Sequence, residues 1–81
     1  MEYDKKKIEE VVLALLYYGA YQDRPPFWRS WKNYNWEILD SLFEKGYISD
    51  PAIKKSRSVN LFDGGYKKGK EYFEKYFGPS K

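Results

Sequence analysis

The chain has 81 residues, a net charge of +3 and 21% aromatic side chains, so it forms one domain, residues 1–81, whose small core must be filled by large rings. It contains neither Cys nor His, which excludes disulfides, thiolate or imidazole zinc sites and nucleophiles activated by imidazole. The charge is uneven: residues 1–46 carry seven basic and eight acidic side chains and residues 47–81 eight and four, and a C-terminal part at +4 suits an anionic partner.

Asp4 is placed to cap a first helix in which Ile8, Val11, Val12, Leu15 and Leu16 fall on one face. Leu13, Ala14, Tyr17 and Tyr18 make its other flank apolar too, so either the rest of the domain or a second copy must cover it, and a homodimer through the first or last helix is expected. Gly19 ends the helix. Lys5, Lys6 and Lys7 ahead of the apolar run are followed by Glu9 and Glu10 and by no small-residue cleavage site, which argues against a secretion signal and for a cytoplasmic protein. The longest apolar run, Val11 to Tyr18, is too short to span a membrane, so no membrane partner is expected.

Pro25 and Pro26 interrupt the next segment, and Phe27 to Lys32 is predicted as one or two turns of helix with Pro26 at its start. Asn35 then caps a helix whose inner face is Ile38, Leu39, Leu42 and Phe43, closed by Gly46 in the left-handed conformation. Tyr47-Ile48-Ser49 is predicted as a short strand, Asp50-Pro51 as a turn, and Lys55 to Leu61 as a second strand with Val59 and Leu61 on its covered side. A last helix starts near Asp63 or Gly64 and carries Tyr66, Gly69, Phe73 and Phe77 as a stripe widened by Tyr72 and Tyr76; Gly69 allows close approach of another helix. Gly78-Pro79 ends it, and residues 79–81 are expected to fray.

The order helix, short helix, helix, strand, strand, helix resembles winged-helix regulators of the MarR and PadR kind. The residues carrying the resemblance are Leu39, Leu42, Gly46 and Ile48, then Val59, Leu61, Phe62 and Gly65. It implies a mostly α, winged-helix-like (helix-turn-helix) domain with a short two-stranded β wing. Phe62 stands where the regulators have a capping Thr, so Asp63 is expected to cap instead. As a whole, the chain also resembles a small uncharacterised prokaryotic family through Arg29, Trp31, Lys32 and Trp36.

In a helix-turn-helix the helix Asn35 to Lys45 would enter the major groove, but its outer face presents Glu37, Asp40, Ser41 and Glu44, three carboxylates that would meet phosphates. At this spacing those carboxylates read as a solvated helix face, with no loop or cleft to make a metal or acid/base site. Asp63-Gly64-Gly65 lacks the spacing of a phosphate loop. No cofactor and no catalytic constellation are expected.

Two binding functions follow. In the first, Lys54, Lys55 and Arg57 near the wing, with Lys67, Lys68 and Lys70 early on the last helix, contact nucleic-acid phosphates. These helix lysines sit toward the positive end of the helix dipole, an unfavourable place that suggests another use. In the second, the aromatic segment 27–36, with Phe27, Trp28, Arg29, Trp31 and Trp36, binds a protein partner. The same rings, with Tyr34 and beside Arg24, Arg29 and Lys32, also suit stacking of single-stranded bases, and Trp28 in particular can instead belong to the core.

Overall fold

Short-range signals place the helices. In the computed structural model, which describes residues 3–24, 27–32, 34–52 and 58–78, helix α1 spans Lys5–Tyr18 and the Asp4 side chain accepts a hydrogen bond from the Lys7 amide at 3.1 Å. Helix α2 spans Trp36–Glu44, and the Asn35 side chain accepts from the amides of Glu37 and Ile38 at 2.9 and 3.3 Å. Each cap satisfies amides that the first helical turn leaves without a partner. At the far end of α2, Gly46 adopts φ +78°. Its amide donates to Phe43 and that of Tyr47 to Leu42, a Schellman closure that turns the chain sharply back toward the core.

Helix α3 spans Asp63–Phe77. Phe62, not Asp63, occupies its N-cap position, without a side-chain hydrogen bond, and Asp63 is the first helical residue. There its carboxylate favours the positive end of the helix dipole without capping it. Gly78 is the C-cap; residues 79–81 lie outside the described residues.

The fold class read from the sequence is the one observed: three helices and a small antiparallel sheet in a winged-helix-like layout. The sheet, however, has three strands rather than two. Strand β1 is Tyr21–Arg24, β2 is Phe27–Trp31 and β3 is Ser58–Leu61, in the order β1-β2-β3. The helical turn expected at Phe27 to Lys32 is therefore strand β2. Its aromatic side chains suit a pleated surface, and pairing with β3 from Trp28↔Leu61 to Trp31↔Ser58 satisfies its backbone. The strand expected at Tyr47-Ile48-Ser49 is reduced to a single antiparallel bridge, Ile48↔Leu61, held by Ser49 N–H to Asn60 O and Phe62 N–H to Tyr47 O. Leu61 is thus paired on both sides.

Helices α1 and α3 lie against each other and against the inner face of the sheet. The core is Val12, Leu13, Leu16, Ile38, Leu39, Leu42, Ile48, Val59 and Leu61, with Trp28, Tyr34, Tyr47, Tyr66 and Tyr72 packed around it. Each fully buried aliphatic side chain contributes about 1.5–3 kcal/mol. The buried arc of α1 is rotated from the expected face, with Leu13 and Ala14 completely buried and Ile8 40% exposed. Helix α3 covers the Leu13 and Tyr17 flank, so one chain supplies the cover for which a second copy was the alternative. Phe43 is likewise turned out of the core, 41% exposed. Two glycines let α3 come this close. A β-carbon at Gly69 would lie 2.7 Å from Tyr17 Cβ and 3.0 Å from Leu13 O, and one at Gly65 would overlap the Tyr47 carbonyl.

Candidate functional site

The period-two alternation of β2 and β3 sorts their side chains onto two faces. Val59 and Leu61 are buried, Ser30 is buried beneath Gly19, and Trp28 stacks on Tyr66 with ring centroids 4.5 Å apart. These define the inner face. On the outer face Tyr21, Arg29 and Asn60 stand opposite one another across the three strands, with Trp31 and Ser58 forming the next pair. Trp31 is 59% exposed and Tyr21 44%. The Arg29 guanidinium lies across β3, where Nε and Nη2 both donate to Ser58 Oγ at 3.1 and 2.8 Å. These five outer side chains carry one positive charge and no negative one.

The fold divides the residues singled out from the sequence. Arg29 and Trp31 share the outer sheet face, whereas Trp28 belongs to the core packing. Trp36 opens α2, 58% exposed, with the Lys32 ammonium 5.7 Å from its ring centroid. Lys32 also donates to the Pro51 carbonyl at 2.7 Å, tying the end of β2 to the turn after Ile48. The Phe27 side chain lies outside the described part of the structure, as do Lys54, Lys55 and Arg57, the whole of the expected wing cluster. On α3, Lys67 and Lys70 are exposed and make no ion pair with a described residue. Lys68 is 3.7 Å from Glu71 and lies over the Tyr72 ring. Tyr21 and Asn60 escaped the sequence reading because their place depends on strand register, for which the residues from Trp28 to Trp31 carry no alternating signal.

Helix α2 presents a different surface. Glu37, Asp40 and Glu44 are exposed beside Trp36 and Phe43, so its outward charge is negative, as expected from the sequence. A helix with this face is repelled by phosphates on both walls of a major groove.

Carboxylates also tie the helices together. Glu9 Oε2 accepts from Lys45 Nζ at 2.9 Å, linking α1 to the end of α2. Burial pushes the Glu9 pKa up, but the Ser41 hydroxyl and the Lys45 ammonium outweigh it and hold the group below its ordinary value. Its Oε1 is buried without a hydrogen-bond partner among the described residues. Glu10 Oε1 accepts from the Tyr76 hydroxyl at 2.5 Å and lies 3.4 Å from Lys75 Nζ, linking α1 to the end of α3. The Tyr76 hydrogen bond, with Lys75, lowers the Glu10 pKa; the Glu10 carboxylate in turn raises that of Tyr76, and Tyr76 together with Glu10 raises that of Lys75. A carboxylate held ionised in this way is matched to an ion pair rather than to proton transfer near neutral pH. Among the described residues no group of three or more such side chains is arranged to hold a metal ion, and no helix is long and apolar enough to cross a membrane.

A family model described as a domain of unknown function (DUF6429) matches residues 4–79. The chain is also similar to the uncharacterized protein y4hR of Sinorhizobium fredii, with 39% identity over 77 residues, 95% of this chain and 97% of that protein. No solved structure matches. The resemblance to an uncharacterised family thus has its counterpart in these matches, and neither of them bears on the resemblance to MarR and PadR regulators.

Proposed function

The chain belongs to the DUF6429 family of domains of unknown function, and we propose that it is a non-catalytic nucleic-acid-binding domain whose contact surface is the outer face of the sheet rather than α2. The observation that carries this reading is the in-register row of Tyr21, Arg29 and Asn60 beside exposed Trp31, a face with a cation and, among its described side chains, no carboxylate. Basic side chains flank it in the sequence, where Lys54, Lys55 and Arg57 precede Ser58 by one to four residues; Lys67 and Lys70 are exposed on α3, which packs against the other face of the sheet. Such a surface holds phosphates by charge, with binding that falls steeply as salt rises. The acidic face of α2 stays away from the strand in this arrangement.

The test is fluorescence anisotropy of a labelled mixed-sequence oligonucleotide at low and at physiological salt. Salt-sensitive binding that is lost when Lys54, Lys55 and Arg57 are changed together to Glu is the expected result. Absence of binding at low salt would overturn the reading.

A second reading rests on Trp36 and Phe43. Both are exposed on α2, one and the other side of Asp40, and aromatic anchors within an acidic rim suit a basic protein partner. Trp36→Ala would then lose that partner in a pull-down while the fold persists.

A further inference from the structure

The spacing of the rings on the outer sheet face distinguishes between forms of nucleic acid. Tyr21 is opposite Arg29, and Trp31 is two residues further along the same strand, which makes Tyr21 and Trp31 diagonal neighbours. Such neighbours lie roughly 7–8 Å apart, about twice the ~3.4 Å rise per nucleotide of each strand in a duplex. Rings at this separation match successive bases of a stretched strand. A duplex has its base faces occupied by stacking within the helix and offers only grooves and phosphates. Beside Trp31, on the β3 side, lies the Arg29 guanidinium, fixed by its two bonds to Ser58 Oγ, the cross-strand partner of Trp31. A planar cation held in place near exposed aromatic rings suits a base face or a backbone phosphate.

Charge complementarity favours this occupant over a second copy or a protein helix. The outer face has a positive charge and no carboxylate among its described side chains, whereas the exposed carboxylates of α2 lie on another element. The sheet face also has what base contact needs: two half-exposed to exposed rings, each on a strand whose backbone is paired and so held in place.

Resting on the nucleic-acid reading above, we infer that the outer sheet face is a single-strand binding platform, with two unstacked bases seated on Trp31 and Tyr21 and Arg29 beside Trp31 to meet the phosphate chain. The experiment compares a fluorescein-labelled mixed-sequence 12-mer, as single-stranded DNA and as single-stranded RNA, with the blunt DNA duplex of the same sequence. Binding is measured for the wild-type chain, Trp31→Ala and Tyr21→Ala. The expected result is a single strand bound at least about tenfold more tightly than the duplex, and a roughly 5- to 150-fold loss for each variant, the range measured for removing one base-stacking ring. Circular dichroism and the thermal midpoint verify that each variant remains folded.

Equal affinity for single strand and duplex, or unchanged single-strand affinity in both folded variants, would overturn the stacking platform and leave phosphate tracking in place. Failure of every oligonucleotide to bind at low salt would remove both readings. Should Trp31→Ala instead convert a dimer to a monomer in sedimentation, the face would belong to a second copy and the platform would fall.

Discussion

The first turn of α3 rests on the main chain of Tyr47 so closely that Gly65 has no room for a β-carbon. The Tyr47 carbonyl that it covers also accepts the Phe62 amide at 3.1 Å, so the contact fixes the bend between β3 and α3 as well as their separation. Replacing Gly65 with Ala forces one backbone away from another and is expected to cost about 2–3 kcal/mol. Gly64→Ala is the matched control: no atom lies within 4 Å of a β-carbon there, and the change should be neutral or stabilising by up to about 1 kcal/mol. Urea midpoints of the two variants measure the difference; equal midpoints would contradict the contact.

Gly69→Ala tests the next approach along the same helix. The new methyl meets Tyr17 Cβ and Leu13 O, and neither can swing aside as a side-chain tip would. A loss of about 1–3 kcal/mol is expected.

The two tryptophans of β2 should behave oppositely. Trp28→Ala removes the stack on Tyr66 and exposes part of the core, at a cost of about 3 kcal/mol or more. Trp31→Ala on the outer face should stay within about 0.5 kcal/mol of wild type. Thermal or urea unfolding distinguishes them, and a large loss for Trp31→Ala would move that ring from the binding face to the structural one.

Acid should destabilise the domain through α1. Glu9 and Glu10 have pKa values below their ordinary range in the folded chain, so the stability they contribute is complete above the unfolded carboxylate pKa of about 4.3 and is lost as pH falls through the lower folded values. At the other extreme, Lys45, Lys75 and Tyr76 are raised. Their contribution is complete below the unfolded values near 10 and disappears as pH rises through the folded ones. The thermal midpoint should therefore be level between about pH 5 and 9 and fall on both sides. Glu10→Gln should flatten part of the acid limb; an unchanged limb would show that the Tyr76 and Lys75 contacts do not form in solution.

Local chemistry made the helices legible. Asp4, Asn35 and Gly46 act within a few residues of themselves, and their positions follow from which amides and carbonyls a helix end leaves unpaired. Gly69 was legible for a related reason, since a glycine inside an apolar stripe signals a neighbour close by. Strand β2 was not, because its state depends on Ser58 to Leu61, some thirty residues away, and the double proline before it suits a helix start as well as a hairpin turn. The inward assignment of Phe43 assumed a wider buried arc than α2 has, since only α1 packs extensively against that helix. The candidate site follows the same rule: the acidic face of α2 was visible from helical spacing alone, whereas Tyr21 and Asn60 join Arg29 only once strand register is known.

Leu61 pairs with Trp28 on one side and Ile48 on the other, so the last strand to leave the ribosome joins the β1-β2 hairpin to the turn that follows α2. Until residues 58–61 arrive, the hairpin of β1 and β2 has an open edge, Ile48 has no strand to join, and the core lacks Val59 and Leu61. A fragment ending before Ser58 thus contains two helices and a hairpin without the strand and the helix that complete the core. Any surface that depends on the three-stranded sheet is therefore complete only once β3 has joined it.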